Sequence, residues 1–199
     1  MLGLLPPGLP RLFPVGRLDS DSEGLVLLTN DGEVAHALLH PSLESEREYR
    51  VTARGRLLPA ALARLARGVE LEDGWTAPAR VGPARFDARR GVTRFALILR
   101  EGRKRQIRRA LAALGHPVAR LVRTRMGPLR LGRLPAGSAR PLAVTEVATL
   151  QRHAHARLDP HGGIAARQHT GSRRSQAPEA ARESRPKARP RSRDSRRNA

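Results

Sequence analysis

The sequence predicts an α+β domain, built on a mixed, largely antiparallel sheet with flanking helices, and a disordered basic tail after it. Segments of strand length with alternating or continuous apolar residues recur along the first 150 residues, interspersed with shorter segments of helical periodicity. From His153 onward the apolar periodicity stops, and Ser, Pro, Gly, Gln and Arg dominate. Such a composition cannot bury enough surface to offset chain entropy. We therefore place the domain at residues 1–152 and the disordered, Arg-rich tail at 153–199.

The sequence of the first half of the domain predicts the order strand, helix, strand, helix. Leu25–Thr29 is an apolar run of the length of a buried strand. Asn30 then serves as an N-cap, with a glutamate three residues later as in a capping box, and starts a helix over Glu33–Leu39. Glu46–Arg54 alternates polar and apolar residues like a half-buried strand. Pro59–Arg67 begins with proline and is followed by glycine, which is typical of a short helix.

The second half predicts a hairpin, a helix and further strands. Ala79–Phe86 and Gly91–Leu99 are expected to pair antiparallel across a short link. Arg105–Leu114 has the apolar spacing of a helix, but its start is crowded with cations, the unfavourable sign for the helix dipole. That crowding indicates a phosphate or a carboxylate nearby. The remaining predicted segments are the strands Val118–Met126 and Leu129–Leu134 and a closing segment, Pro141–Leu150.

Composition favours nucleic acid as the partner. The formal net charge is +20, with +11 on residues 1–150 and +9 on residues 151–199. An acidic membrane surface is the weaker alternative, because no amphipathic apolar face accompanies the basic tail. The chain has no cysteine, which excludes disulfides, thiolate nucleophiles and Cys-ligated zinc. The apolar N-terminus lacks a basic segment and is broken by prolines, so it predicts no signal peptide or membrane span, and the cytoplasm is the default location.

Two local patterns each leave a choice open. Asp19 lies in a short polar loop between Gly16 and Gly24, where it serves either chemistry or only the hydrogen bonds of a turn. His36 and His40 have the i, i+4 spacing of a metal site. No third ligand is evident, so ordinary histidines are favoured there over metal.

Several blocks of this sequence resemble one known family, in that family's order and spacing over roughly residues 10–150. The family is the bacterial rRNA pseudouridine synthases, in the RsuA/RluB-like branch. The blocks are Gly16-Arg17-Leu18-Asp19, Ser22-Glu23-Gly24-Leu25, Leu27-Leu28-Thr29-Asn30-Asp31-Gly32, Arg47-Glu48-Tyr49, the run from Glu101 to Arg109, and Leu114-Gly115-His116-Pro117-Val118.

The resemblance implies a pseudouridine synthase core, whose central cleft holds the active site. Members of this branch usually begin with a small RNA-binding S4 domain and a strand carrying a Lys-Pro segment. This chain begins at about the point where that strand would have passed. We therefore expect an N-terminally truncated catalytic domain or a mis-assigned gene start.

The resemblance also implies roles for particular residues. Asp19 is expected to attack as a nucleophile or to deprotonate C2′ so that a glycal forms, and Arg108 to hold Asp19 ionised. Tyr49 is expected to stack on the base and remove the C5 proton, although its pattern alone favours a core aromatic. Arg17 would fill the space of the flipped base, and Leu121 would line the pocket. The expected phosphate-binding residues are Arg103, Lys104, Arg105 and Arg109.

The implied reaction is the isomerisation of a uridine in ribosomal RNA, 23S or 16S, by a monomer that uses no cofactor and no metal. The rival interpretation is a non-catalytic RNA-binding or ribosome-assembly module, for which a basic domain and tail suffice. A DNA-binding protein is the weakest alternative, since no helix-turn-helix, zinc site or basic zipper is visible.

Overall fold

A computed structural model of the chain describes residues 5–159. Its strands are β1 (Phe13–Val15), β2 (Glu23–Gly24), β3 (Leu27–Thr29), β4 (Arg47–Arg54), β5 (Glu70–Leu71), β6 (Gly74–Trp75), β7 (Arg80–Val81), β8 (Arg85–Asp87), β9 (Val92–Leu99), β10 (Val118–Met126) and β11 (Leu129–Arg130). Its α-helices are α1 (Gly32–Leu39), α2 (Pro59–Arg67), α3 (Gln106–Ala113) and α4 (Val144–Leu158), and a 3-10 helix covers Pro41–Leu43.

The centre of the fold is a seven-stranded sheet in the order β11-β10-β4-β9-β7. Strand β8 also pairs with β9, and β2 joins the edge of β10 as a parallel strand. All other pairs in this sheet are antiparallel, which confirms the predicted mixed, largely antiparallel architecture. Strands β4 and β9 pair along their full length, from Arg47 opposite Leu99 to Arg54 opposite Val92.

One face of the sheet is covered by α2 and α3, because the period-2 pattern of β9 directs alternate side chains to that side. Phe95 and Leu97 of β9 pack there with Val51 of β4, Leu65 of α2 and Leu111 of α3, all almost fully buried. Each such side chain contributes roughly 1.5–3 kcal/mol by leaving water. This core fixes α3 against the sheet.

A second core lies beside the sheet, where β1 pairs with β3 and α1 packs against α4. Val15, Leu27 and Leu38 meet Met126 of β10 and Leu150 of α4 in this cluster. The polar loop between β1 and β2 therefore begins after the buried Val15, and the chain returns to the core at Leu25, directly after the exposed strand β2.

Two predicted boundaries in the first half are wrong. The N-cap of α1 is Asp31 and not Asn30, since the Asp31 carboxylate accepts a hydrogen bond of 3.0 Å from the Val34 N–H. The predicted strand Leu25–Thr29 begins only at Leu27. Leu25 instead donates its N–H to the Arg123 carbonyl at 2.9 Å, which extends the contact of β2 with β10.

The later elements also differ from prediction at their ends. Helix α3 begins at Gln106, because Arg105 has the left-handed φ of 50°. Strand β11 is shorter than the predicted Leu129–Leu134. Helix α4 continues to Leu158, past the expected domain end at 152, since Ala154 is buried in the second core. The rest of the predicted tail, beyond residue 159, lies outside the described residues.

None of the helices between residues 5 and 159 combines the length and the apolar composition that crossing a membrane requires.

Candidate active site

A cleft of about 740 Å³ opens where the loop after β1 faces the end of β9 and the start of α3. Most of the sequence-predicted site residues line it: Arg17, Asp19, Tyr49, Arg103, Lys104, Arg105, Arg108 and Leu121. Arg109 is the one predicted residue that does not. Residues far apart in sequence are thus gathered in one cavity.

The loop carrying Asp19 is fixed by its own turn and by its exit. The Ser22 N–H donates to the Asp19 carbonyl at 2.9 Å, which closes a turn around the aspartate. At the exit, Gly24 has a φ of +112°, and a Cβ built on it would lie 2.3 Å from the Arg123 carbonyl oxygen. Only glycine permits this approach of the loop to β10. Asp19 itself is half-buried.

Arg123 is a site residue that the sequence reasoning missed. Its side chain is buried, with 3% of the residue exposed, and it lines the cleft. Its Nε donates to the Leu25 carbonyl at 2.8 Å and its Nη1 to the Arg17 carbonyl at 3.2 Å. One guanidinium therefore ties together the two ends of the Asp19 loop. An arginine among the apolar residues of the predicted strand Val118–Met126 was the available signal.

Arg47 is a second buried cation in the cleft. Its Nη2 donates to the Leu38 carbonyl at 2.7 Å, at the end of α1. Burial lowers the pKa of Arg47, and the charge of Arg123 lowers it further against an opposing effect of Tyr49. Among the described residues neither arginine has a carboxylate partner within 4 Å. Together they contribute two buried positive charges to the lining of the cleft.

The expected ion pair between Arg108 and Asp19 is not formed in this structure. Arg108 Nε lies 3.2 Å from the Asp21 carboxylate, and its Nη2 donates to the Asp21 carbonyl. The carboxylate and the carbonyl of Asp21 both contact Arg108, so Asp21 and not Asp19 is the partner of this arginine. Within residues 5–159 Asp19 has no ion pair. The pKa of Arg105 is raised mainly by its hydrogen bonds to Asp21, and the charge of Asp19 adds to that effect.

Asp21 is the main partner of the cations at the start of α3. The guanidinium of Arg105 donates two hydrogen bonds to its carboxylate, at 3.0 and 2.8 Å. These bonds lower the pKa of Asp21, and the charge of Arg108 lowers it further. The sequence predicted an anion beside this helix start. The structure places a carboxylate there.

Tyr49 and Leu121 lie on adjacent strands of the central sheet. Tyr49 on β4 is half-buried and stands opposite Arg123 of β10, with Leu97 of β9 on its other side. Cross-strand partners of this kind lie side by side on one face of a sheet. Leu121 is buried and borders the same cleft. The tyrosine ring is therefore within the cleft wall and also packs on the first core.

The four predicted phosphate-binding residues are not equally available. Arg103 and Arg109 both pair with Asp73, whose pKa they lower from 3.8 to about 2. Arg105 pairs with Asp21. Lys104 is exposed and, in the part of the chain that the structure describes, forms no ion pair within 4 Å.

His36 and His40 remain together on the exposed side of α1. Their rings meet edge to face at a centroid distance of 4.9 Å, and His40 Nδ1 lies 2.7 Å from the Ser42 hydroxyl. From residue 5 to residue 159, no group of three or more His, Asp or Glu side chains is arranged to hold a metal ion.

Comparison with known proteins gives a consistent result. The family model described as RNA pseudouridylate synthase matches residues 3–113. An uncharacterized RNA pseudouridine synthase of Mycobacterium bovis is 50% identical over 145 residues, which cover 72% of this chain and 56% of the relative. Ribosomal large subunit pseudouridine synthase B of Bacillus subtilis is 42% identical over 141 residues, 71% of this chain and 58% of the relative.

A solved structure agrees with these sequence matches. A crystal structure of a pseudouridylate synthase is 36% identical in sequence and superimposes with a TM-score of 0.62, covering 70% of this chain and 59% of that one. The chain spans little more than half the length of the curated relatives that it matches.

Proposed function

Because the chain belongs to the RNA pseudouridylate synthase family, we propose that it isomerises a uridine of ribosomal RNA to pseudouridine in the cleft that contains Asp19. The observation that carries this proposal is the meeting of Asp19, Tyr49, Arg108 and Leu121 around one cavity. The name of the Bacillus subtilis relative favours RNA of the large ribosomal subunit. Such a substrate places the reaction in the cytoplasm, and one cleft built from one chain suits a monomer.

The reaction breaks the N1–C1′ bond of uridine, turns the base and joins C5 to C1′. C5 loses its proton and N1 gains one, so atoms and electrons balance without a cofactor. The Asp19 carboxylate either attacks C1′, as carboxylates do in retaining glycosidases, or removes the C2′ proton so that a glycal forms. Both routes need an ionised carboxylate held close to the sugar. The fixed loop supports that requirement.

Two buried cations also line the cleft. Arg47 and Arg123 have no carboxylate partner among the described residues, so their charges are available to the anionic RNA substrate. Arg108 does not form the expected pair with Asp19. Arg108 then acts by holding the backbone and side chain of Asp21, and with them the turn that carries Asp19.

The target base must leave its stack to reach the cleft, at a cost of a few kcal/mol. Arg17 is exposed and lines the cleft, which supports its proposed role of occupying the space that the base leaves in the RNA. Tyr49 offers its ring face to the flipped base and its hydroxyl to the C5 proton. Leu121 gives the base an apolar wall.

Asp19→Asn tests the proposal. The amide has nearly the same shape but is neither a nucleophile nor a base, so we expect no pseudouridine while RNA affinity stays within a few-fold. Chemical mapping of rRNA from a deletion strain complemented with the variant gives the readout. The matched control is Asp31→Asn, outside the cleft, since asparagine is an equally good N-cap.

Modification restored by Asp19→Asn would contradict the role of Asp19. RNA binding by the wild-type chain without any modification of rRNA would favour the non-catalytic RNA-binding module instead.

A further inference from the structure

Trp75 is the single tryptophan of the chain, and 67% of it is exposed. It ends β6 in the two-stranded hairpin that β6 forms with β5. Isolated exposed apolar residues are common on protein surfaces, so exposure alone assigns no role to it. A role is indicated by the attachment of its hairpin to residues that line the cleft.

The hairpin is held to the start of α3 by two arginines. Arg103 pairs with the Asp73 carboxylate and donates from Nη1 to the Trp75 carbonyl at 2.8 Å and to the Gly74 carbonyl at 3.2 Å. Arg109 donates two further hydrogen bonds to Asp73, at 2.8 and 3.1 Å. These two cations, expected to bind phosphates, are engaged by the hairpin instead.

A second attachment lies on the other side of the tryptophan. The Ala77 N–H donates to the Glu101 carboxylate at 2.7 Å, and Glu101 lines the cleft together with Arg103. The backbone on both sides of Trp75 is therefore bonded to the cleft wall. An aromatic ring on such a fixed support loses little conformational freedom when it binds a ligand.

The surroundings select the ligand. Lys104 and Arg17 are exposed cations that border the same cleft, so the approach to it is suited to a polyanion. When one base leaves an RNA strand, its neighbours lose a stacking partner. Aromatic side chains beside a positive groove stack on such bases without regard to their identity.

We propose that Trp75 stacks on an unpaired base of single-stranded RNA next to the nucleotide that enters the cleft. This inference rests on the proposed function, since it takes the cleft as the site of the target uridine. It assigns to the Arg103–Asp73–Arg109 cluster the task of positioning the stacking residue and not of binding phosphate.

The test compares two probes of equal charge. One is a 12-nucleotide oligouridylate, and the other is the same backbone with abasic riboses. Because Trp75 is the only tryptophan, its fluorescence reports on the contact directly. We expect oligouridylate, but not the abasic strand, to quench it, and to bind more tightly by about 10-fold to 100-fold.

Trp75→Ala should reduce that preference by the contribution of one stacked base, about 5-fold or more, and leave the part that Tyr49 contributes in the cleft. The slope of log Kd against log salt should not change, because the phosphate contacts remain. Trp75→Phe should keep most of the preference, since it retains an aromatic face. Trp75→Leu should reduce it as Trp75→Ala does, although it keeps an apolar side chain. The control is Phe86→Ala, an aromatic that is 41% exposed on β8 and pairs near the opposite end of β9 from the cleft.

Three results would overturn the proposal: equal affinity of wild type for the two probes, equal losses for both probes in Trp75→Ala, or full preference in Trp75→Leu. The last would indicate an apolar protein contact. None of these depends on catalysis, so they are distinguishable from a failure of the proposed function, which Asp19→Asn tests on rRNA.

Discussion

Replacing Arg123 with methionine should slow catalysis far more than it destabilises the fold. The guanidinium joins the Arg17 and Leu25 carbonyls, which bracket the loop that carries Asp19. Methionine fills much of the same volume but donates no hydrogen bond. The loop would then keep its backbone contacts with β10 and lose the bridge between its ends.

Two opposing contributions determine how much Arg123→Met changes the free energy of unfolding. A hydrogen bond from a charged donor contributes roughly 1.5–3 kcal/mol, so the two bonds amount to about 3–6 kcal/mol before any offset. Removing a buried cation that has no carboxylate partner recovers several kcal/mol of desolvation. We therefore expect the free energy of unfolding to change by less than about 2 kcal/mol. A displacement of Asp19 by about 1 Å should still lower kcat by about 100-fold.

The assay is single-turnover release of tritium from rRNA labelled at uridine C5, together with denaturant unfolding. Arg125→Met is the matched control on the same strand, because Arg125 pairs with Glu46 and Glu48 and does not line the cleft. It should cost more stability and leave the rate nearly unchanged. If both variants lose rate in proportion to their loss of stability, the positioning role of Arg123 is wrong.

Two further predictions concern the supports of the cleft. Gly24→Ala places a methyl group 2.3 Å from the Arg123 carbonyl oxygen. The melting temperature of this variant, measured by circular dichroism, should therefore fall by several degrees more than that of Gly132→Ala, where φ is +60° and no atom lies within 4 Å. Similar melting temperatures for the two variants would contradict the close packing at Gly24. The pKa of Asp73 is lowered from 3.8 to about 2, so its pairing stabilises the fold above pH 3.8 and loses this effect as pH falls through about 2. Asp73→Asn should therefore lower the unfolding temperature, followed by Trp75 emission, at neutral pH but not near pH 2. If the variant unfolds at a lower temperature than wild type by the same amount at every pH, the stabilisation does not come from the ion pairs of Asp73.

The elements that the sequence predicted best are those whose pattern is local. Strand β9 alternates buried and half-buried residues along its whole length, and α2 has the predicted ends, Pro59 and Arg67. In both, the periodicity that buries one face is also the pattern that sequence reading detects. Predictions of this kind hold because the tertiary contacts reinforce the local preference.

The parallel contact of β2 could not be predicted in the same way. Glu23 and Gly24 pair with Val122 and Arg123, about a hundred residues further along the chain. Two residues carry too little pattern to indicate a strand, and nothing local identifies the partner. The same contact explains why Leu25 leaves the predicted strand, and it is the feature that fixes the exit of the Asp19 loop.

Which arginines pair with carboxylates and which do not could not be predicted from the sequence either. A cluster of cations at the start of α3 predicts a phosphate or a carboxylate nearby, and the family resemblance implied phosphate. In the structure the charge of Arg103 and Arg109 is balanced by Asp73, and that of Arg105 by Asp21. The charge of Arg123 within a predicted strand was a signal, but nothing local identified the carbonyls that it binds. Which cation is free depends on carboxylates brought close by folding. The net charge therefore indicates the class of partner, and only the paired and unpaired state of each side chain indicates where that partner binds.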